Sequence, residues 1–136
     1  MVMKVIAEDF FTYSVLFEGV LAGSSSSGSI QIEADSDFQV QKLTVVAEIA
    51  DTVSVLPNAT VTIIDTGSGR QLMNQATPVA GLFGTGQLPF ILPTPKIFLA
   101  RSTISFTLAN IDAGDDFTNL WLNLIGKKLF YGDVAA

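Results

Sequence analysis

Neither cysteine nor histidine occurs among the 136 residues. The first absence removes disulfides, a thiolate nucleophile and sulfur-ligated metals; the second removes the commonest general base and the commonest metal ligand. Most familiar hydrolase and zinc chemistries are excluded, and no cofactor is implied. Charge is scarce as well, with 15% of residues charged against about a quarter in ordinary domains. The net charge is -6 and the seven Lys and Arg are scattered, which opposes a nucleic-acid partner, since backbone affinity needs clustered cations. Tryptophan occurs once and tyrosine twice, against ten phenylalanines. Wet stacking platforms for sugars or single strands favour Trp and Tyr, whereas Phe points to cores and dry protein interfaces.

Long apolar runs are missing too. Met1-Val2-Met3-Lys4-Val5-Ile6-Ala7 starts like a signal peptide, but Glu8-Asp9 interrupt it and Glu18 breaks the next run, so no secretion signal is expected. The longest uncharged stretch, Gln71 to Pro95, contains Pro78, Gly81, Gly84, Gly86, Pro89, Pro93 and Pro95 and is unsuited to a membrane span. No membrane partner is expected. The length predicts a single domain, residues 1-136, with about 1-9 as a mobile N-terminal arm, because those residues show no clean alternation.

What is present is a period of two. Ile30, Ile32 and Ala34 alternate with Gln31 and Glu33; Leu43, Val45, Ala47 and Ile49 with Thr44 and Glu48; Ile104, Phe106 and Leu108 with Ser105 and Thr107. Val61-Thr62-Ile63-Ile64 and Leu120-Trp121-Leu122-Asn123-Leu124-Ile125 are richer in apolar residues and read as central strands covered on both faces. Turn clusters separate these runs: Gly23 to Gly28 with a mobile Ser24-Ser25-Ser26-Ser27, Asp35-Ser36-Asp37, Leu56-Pro57-Asn58, Thr66-Gly67-Ser68-Gly69, Gly81 to Gly86, and Asp112-Ala113-Gly114-Asp115-Asp116. About eight strands and no helix predict an all-β antiparallel sandwich, an eight-stranded jelly roll.

Ile63-Ile64-Asp65-Thr66-Gly67-Ser68 has the form of an aspartic protease signature. One copy per chain would demand a homodimer whose two aspartates share a proton. Leu124-Ile125-Gly126-Lys127 resembles a second segment of retroviral-type proteases, but Gly69-Arg70 and Lys127-Lys128 stand where the supporting charges would be. Asp65 is therefore expected to cap a tight turn, with the protease as the alternative reading. Asp112, Asp115 and Asp116 could offer oxygens to calcium, yet their spacing fails the EF-hand pattern and a solvated turn is expected. Phe10, Phe11, Phe83 and Phe90 fall outside clean alternation and are candidate partner anchors. The prolines of the Gly81 to Pro95 crossing bar it from a sheet interior; its apolar surface is expected to pack on a neighbouring subunit.

One order of segments is familiar. Ile64-Asp65-Thr66-Gly67-Ser68-Gly69-Arg70-Gln71-Leu72-Met73 is followed by Phe83-Gly84-Thr85-Gly86-Gln87-Leu88-Pro89-Phe90. Then come Pro93-Thr94-Pro95-Lys96-Ile97-Phe98, a strand ending in Leu108-Ala109-Asn110, and Leu122-Asn123-Leu124-Ile125-Gly126-Lys127-Lys128-Leu129-Phe130. Across roughly residues 28 to 131 this order resembles small virion proteins of tailed bacteriophages. The resemblance implies a non-enzymatic jelly-roll cement or decoration protein. Such a protein would be located in the virion, on the outside of a head assembled in the host cytoplasm. Its implied partners are the major capsid protein and itself, as a homodimer or homotrimer.

Overall fold

The computed structural model describes residues 2–49, 53–55, 57–112 and 114–134. Met1, Leu56 and Ala113, which belong to segments discussed above, lie outside the described residues. Ten strand segments and one helical turn follow one another as β1 (Val2–Val20), β2 (Ser25–Gln31), β3 (Asp37–Ile49), β4 (Val53–Val55), β5 (Ala59–Asp65), β6 (Arg70–Gln71), β7 (Thr77–Pro78), α1 (Val79–Leu82), β8 (Phe90–Phe98), β9 (Thr103–Asn110) and β10 (Phe117–Val134). They form two antiparallel sheets. The first runs β1-β10-β3, with β4 and β8 both pairing β3; the second runs β2-β9-β5, with β6 and β7 both pairing β5. With β6 and β7 sharing one position and β4 an extension of the first sheet, this is the eight-position jelly roll expected from the sequence.

Alternation explains the core. Tyr13, Val15 and Phe17 of β1, Leu43, Val45 and Ala47 of β3, and Leu120, Leu122 and Leu124 of β10 turn inward, against Val61 and Ile63 of β5 and Ile104, Phe106 and Leu108 of β9. Strands β5 and β10 are central, as expected. They are not covered on both faces, however. The residues between their buried positions, Thr62 and Ile64 in β5 and Trp121, Asn123 and Ile125 in β10, remain half-buried.

Two segments expected to be mobile are strands. Residues 2–9 continue β1 and pair with β10 from Val134 to Lys128. Since β3 pairs β10 only as far as Leu129, the outer ends of β1 and β10 leave the sandwich as a two-stranded ribbon. The serine tract is most of β2, in register with β9 from Ser25↔Ala109 to Gln31↔Thr103. Its small side chains have a packing reason: a Cβ on Gly28 would lie 2.8 Å from Val15 Cγ2 and 3.3 Å from Phe17 Cε1. A larger side chain at position 28 would press on Val15 and Phe17 of the facing sheet.

The Pro-rich crossing is a sheet edge. Strand β8 pairs β3 through Phe90 and Ile91, then again from Lys96 to Phe98, and Pro93 and Pro95 lie in the interval that leaves β3. Prolines are tolerated there because no ladder bond is required of them. Much of the crossing packs on its own sandwich, where a neighbouring subunit was expected, while Leu88 and Ile91 stay exposed. Phe83 is buried to 2% exposure, Phe90 and Leu92 pack against the core, and Gly84 exchanges backbone bonds with β3: it donates to the Leu43 carbonyl and accepts from the Val45 N–H.

Candidate interaction surface

The outward face of the first sheet follows from its register. Opposed residues on neighbouring antiparallel strands share a face. Leu16, Trp121 and Val46 therefore form one row across β1, β10 and β3; Ser14, Asn123 and Thr44 form the next; Thr12, Ile125 and Lys42 the one after. The middle row is polar and tied together. The Ser14 hydroxyl donates to Asn123 Oδ1 at 2.7 Å, and Asn123 Nδ2 donates to Thr44 Oγ1 at 3.1 Å. The row of Leu16, Trp121 and Val46 beside it leaves Leu16 and Val46 exposed. Further along the same sheet Phe10 stands 77% exposed and Ile91 of β8 65%, and the β1–β10 ribbon exposes Val5, Ile6 and Tyr131. The sheet face and ribbon thus present large apolar side chains on a rigid hydrogen-bonded support.

Of the four phenylalanines singled out as anchors, the structure leaves one fully available. Phe10 points outward. Phe11 is half-buried, edge-on to Tyr13 with centroids 4.8 Å apart. Phe83 is buried in the core and offers no surface to a partner. Phe90 lies half-buried on the core. The sequence does not single out Leu16, Val46 or Trp121: Trp121 lies in a run that reads as covered on both faces, and Val46 and Leu16 are apolar residues on the outward side of their strands, where nothing local shows what covers them. Leu88, part of the apolar surface expected of the crossing, is 81% exposed.

Beneath Phe11 lies a buried cation. Lys128 Nζ donates to Glu33 Oε1 at 2.8 Å, contacts both Asp35 carboxylate oxygens at 3.4 Å and sits 4.2 Å from the Phe11 ring centroid. Tyr13 Oη accepts the Glu33 N–H at 2.9 Å. The cluster pins the β2–β3 turn to β10. The Glu33 bond leads in holding the ammonium above its ordinary value despite burial, with Asp35 adding to it. Desolvation opposes ionisation of Asp35, yet hydrogen bonds from Ser36 and Lys128 together hold its carboxyl below the usual value. Replacing Lys128 with Met keeps the stem on Phe11 and leaves the two acids facing each other. A loss of about 1–3 kcal/mol is expected, as for a charge-assisted hydrogen bond at a buried group. Because the ammonium is raised, its stabilisation is complete below the ordinary 10.5 and is lost above it. Because Asp35 is lowered, its part is complete above the ordinary 3.8 and is lost as pH falls below it. Denaturation midpoints across pH check this: the wild-type advantage should be flat between those limits and shrink beyond both.

Asp65 sits at the end of β5 with Oδ1 accepting the Gly67 N–H at 3.1 Å, and the Ser68 hydroxyl donates to the Asp65 carbonyl at 3.4 Å. The carboxylate is buried and engaged by its own turn, so the protease reading loses the outward-facing aspartate on which a shared-proton dimer depends. Asn at this position keeps an acceptor oxygen. Asp65→Asn is expected to cost at most about 1 kcal/mol; acid-optimal, pepstatin-sensitive peptide cleavage by the wild type, lost in the variant, would restore the protease. Asp112 Oδ1 likewise accepts the Gly114 and Asp115 N–H groups at 2.9 and 3.0 Å, bonds that hold its carboxyl below the usual range. Asp116 Oδ1 accepts the Ala22 N–H at 2.7 Å. Among the described residues no three acidic side chains converge to hold a metal ion.

No family model matches the chain, and no curated protein does. Among solved structures it is similar to VP2 of infectious bursal disease virus in a subviral particle, with a TM-score of 0.34 and 14% identity over 97% of this chain and 39% of that one. It is also similar to the structure of the Gt strain of the same virus, with a TM-score of 0.27 and 15% identity over 99% and 38% of the two chains. The chain spans about two fifths of the length of these two structures.

Proposed function

We propose that this chain is a structural virion protein that binds the outside of a tailed-phage capsid and cements neighbouring major capsid subunits. The observation that carries the reading is the apolar outer face of the first sheet together with the ribbon that extends it. A rigid sandwich that leaves Phe10, Leu16, Val46 and Ile91 in water on one side is built to have that side covered. The order of segments from Ile64 to Phe130 supports the choice of partner. Affinity would come from burying those side chains, with Glu18, Lys42 and Lys127 at the margins setting orientation. Many copies on a shell would add avidity, since each further tethered contact is effectively intramolecular. A second copy of the chain is the other partner in this reading, as a homodimer or homotrimer.

The test is co-sedimentation with purified heads that lack the protein. Wild type should pellet with heads in saturable, stoichiometric amount. Phe10→Ser combined with Val46→Ser should weaken this by a factor of ten or more, about 1.4 kcal/mol or above, while the thermal midpoint stays put. Equal pelleting of wild type and variant would remove this face from the mechanism.

A further inference from the structure

The sandwich is closed on the β1 side by the aromatic and Lys128 cluster, but it is open on the other, where β8 of the first sheet faces the β6–β7 connection of the second. A pocket of about 130 Å³ lies between the sheets there, lined by Val40, Leu43, Ile63, Leu72, Met73, Leu82, Phe90, Leu92, Phe98 and Leu124, with Lys96 as the one charged residue. Protein interiors seldom leave a void larger than a water molecule. Water is a poor occupant here, because it needs two to four polar partners and the one backbone N–H of this wall already engaged by a side chain, that of Ile63, donates to Met73 Sδ at 3.1 Å. A void of this size and polarity suits a small hydrocarbon; a 150 Å³ apolar cavity takes up benzene.

The mouth adds a second requirement. Leu72 is 39% exposed and marks the opening. Across from it β8 leaves β3 between Ile91 and Lys96, so the chain detours around the entrance and returns with Lys96. That ammonium lies 5.8 Å from the Phe98 ring centroid and, among the described residues, forms no ion pair with a carboxylate. An apolar chamber with one uncompensated cation at its lip matches an amphiphile with an anionic head. We propose that this pocket binds a short-chain alkyl carboxylate, of roughly six carbons by comparison with benzene in the 150 Å³ cavity. The tail occupies the space between Leu43, Ile63 and Leu124, and the carboxylate meets Lys96.

Titration of the purified chain with hexanoate and with hexanol, read by thermal midpoint and by the Met73 methyl resonance, tests this. Hexanoate should raise the midpoint saturably, shift that resonance and bind about fivefold more tightly than hexanol, as a partly exposed ion pair allows. Lys96→Met should erase the preference and keep hexanol binding; Leu82→Phe, which fills the chamber, should abolish both. Three outcomes overturn the proposal: no saturable response of wild type to hexanoate, equal affinities for the acid and the alcohol, or an undiminished response in a folded Leu82→Phe variant.

Discussion

Gly126→Ala is expected to destabilise the protein by about 3–5 kcal/mol, at the upper end of what one added methyl does. Strand β3 carries one extra residue, Gln41, which both neighbouring strands skip: Ile125 faces Lys42, Gly126 faces Val40, and on the other side β8 shifts register at the same point. At this bulge the β3 backbone passes directly over Gly126. A Cβ there would sit 1.8 Å from the Gln39 carbonyl oxygen and 2.9 Å from its carbon. Backbone in the middle of a sheet cannot retreat without breaking the ladders on both sides. Gly132 supplies the control, since its added Cβ would meet the Ile6 side chain, nearest at Cδ1, 2.6 Å away. That methyl can rotate aside, so Gly132→Ala should cost under about 1 kcal/mol. Urea midpoints of the two variants decide the matter; equal, small effects would mean that the bulge is pliant.

Phe83→Ala should cost about 3–5 kcal/mol, the usual range for deleting a buried phenyl ring. Phe83 closes the helical turn through its N–H to the Val79 carbonyl at 2.7 Å, and both residues are buried in the same core. Removing the ring opens a void under α1 and loosens the segment leading to Gly84, which is itself locked. A Cβ on Gly84 would be 2.1 Å from the Leu88 carbonyl oxygen. Phe10→Ser, by contrast, should change stability by no more than about 0.5 kcal/mol and act only on association. Calorimetry with sedimentation equilibrium separates the two; association lost in folded Phe83→Ala would return that ring to the interface.

The contrast between Phe10 and Phe83 shows what could be read from the sequence. Two-residue periodicity sufficed for the all-β class and the inward residues of β3 and β9, and the Asp-Thr-Gly-Ser and Asp-Ala-Gly-Asp sequences for the turn roles of Asp65 and Asp112, because those follow from local stereochemistry. Burial of Phe83 does not. Its neighbours Gly81 to Gly86 read as a loop, and what covers the ring comes from strands some forty residues away. Gly23 to Gly28 read as a turn because glycine and serine have low strand propensity, yet residues 25–31 form a strand held by their ladder to β9, with Gly28 where Val15 and Phe17 approach most closely. Residues 2–9 read as an arm because the period is broken near Val5 and Ala7, where the register with β10 shifts by one. Lys128 carried no local sign of being buried; the acids that compensate it lie on a turn more than ninety residues earlier in the chain.

The pairing of β1 with β10 bears on the order of events during synthesis. Strand β1 finds its ladder partner in β10, more than a hundred residues later, with Val2 opposite Val134 and Val20 opposite Phe117, and β3 also pairs with β10 along most of its length. The middle of the first sheet is thus supplied last. Until residues 117–134 emerge, the Phe10 to Phe17 stretch has neither its hydrogen-bond partner nor its full apolar cover. Connectivity of this kind makes folding slow, since long loops must close before any ladder rewards them, and it leaves strand edges open to neighbouring chains in the interval. Glu8, Asp9 and Glu18 flank that stretch on the same strand, where like charges on adjacent nascent chains oppose strand-to-strand association until β10 arrives.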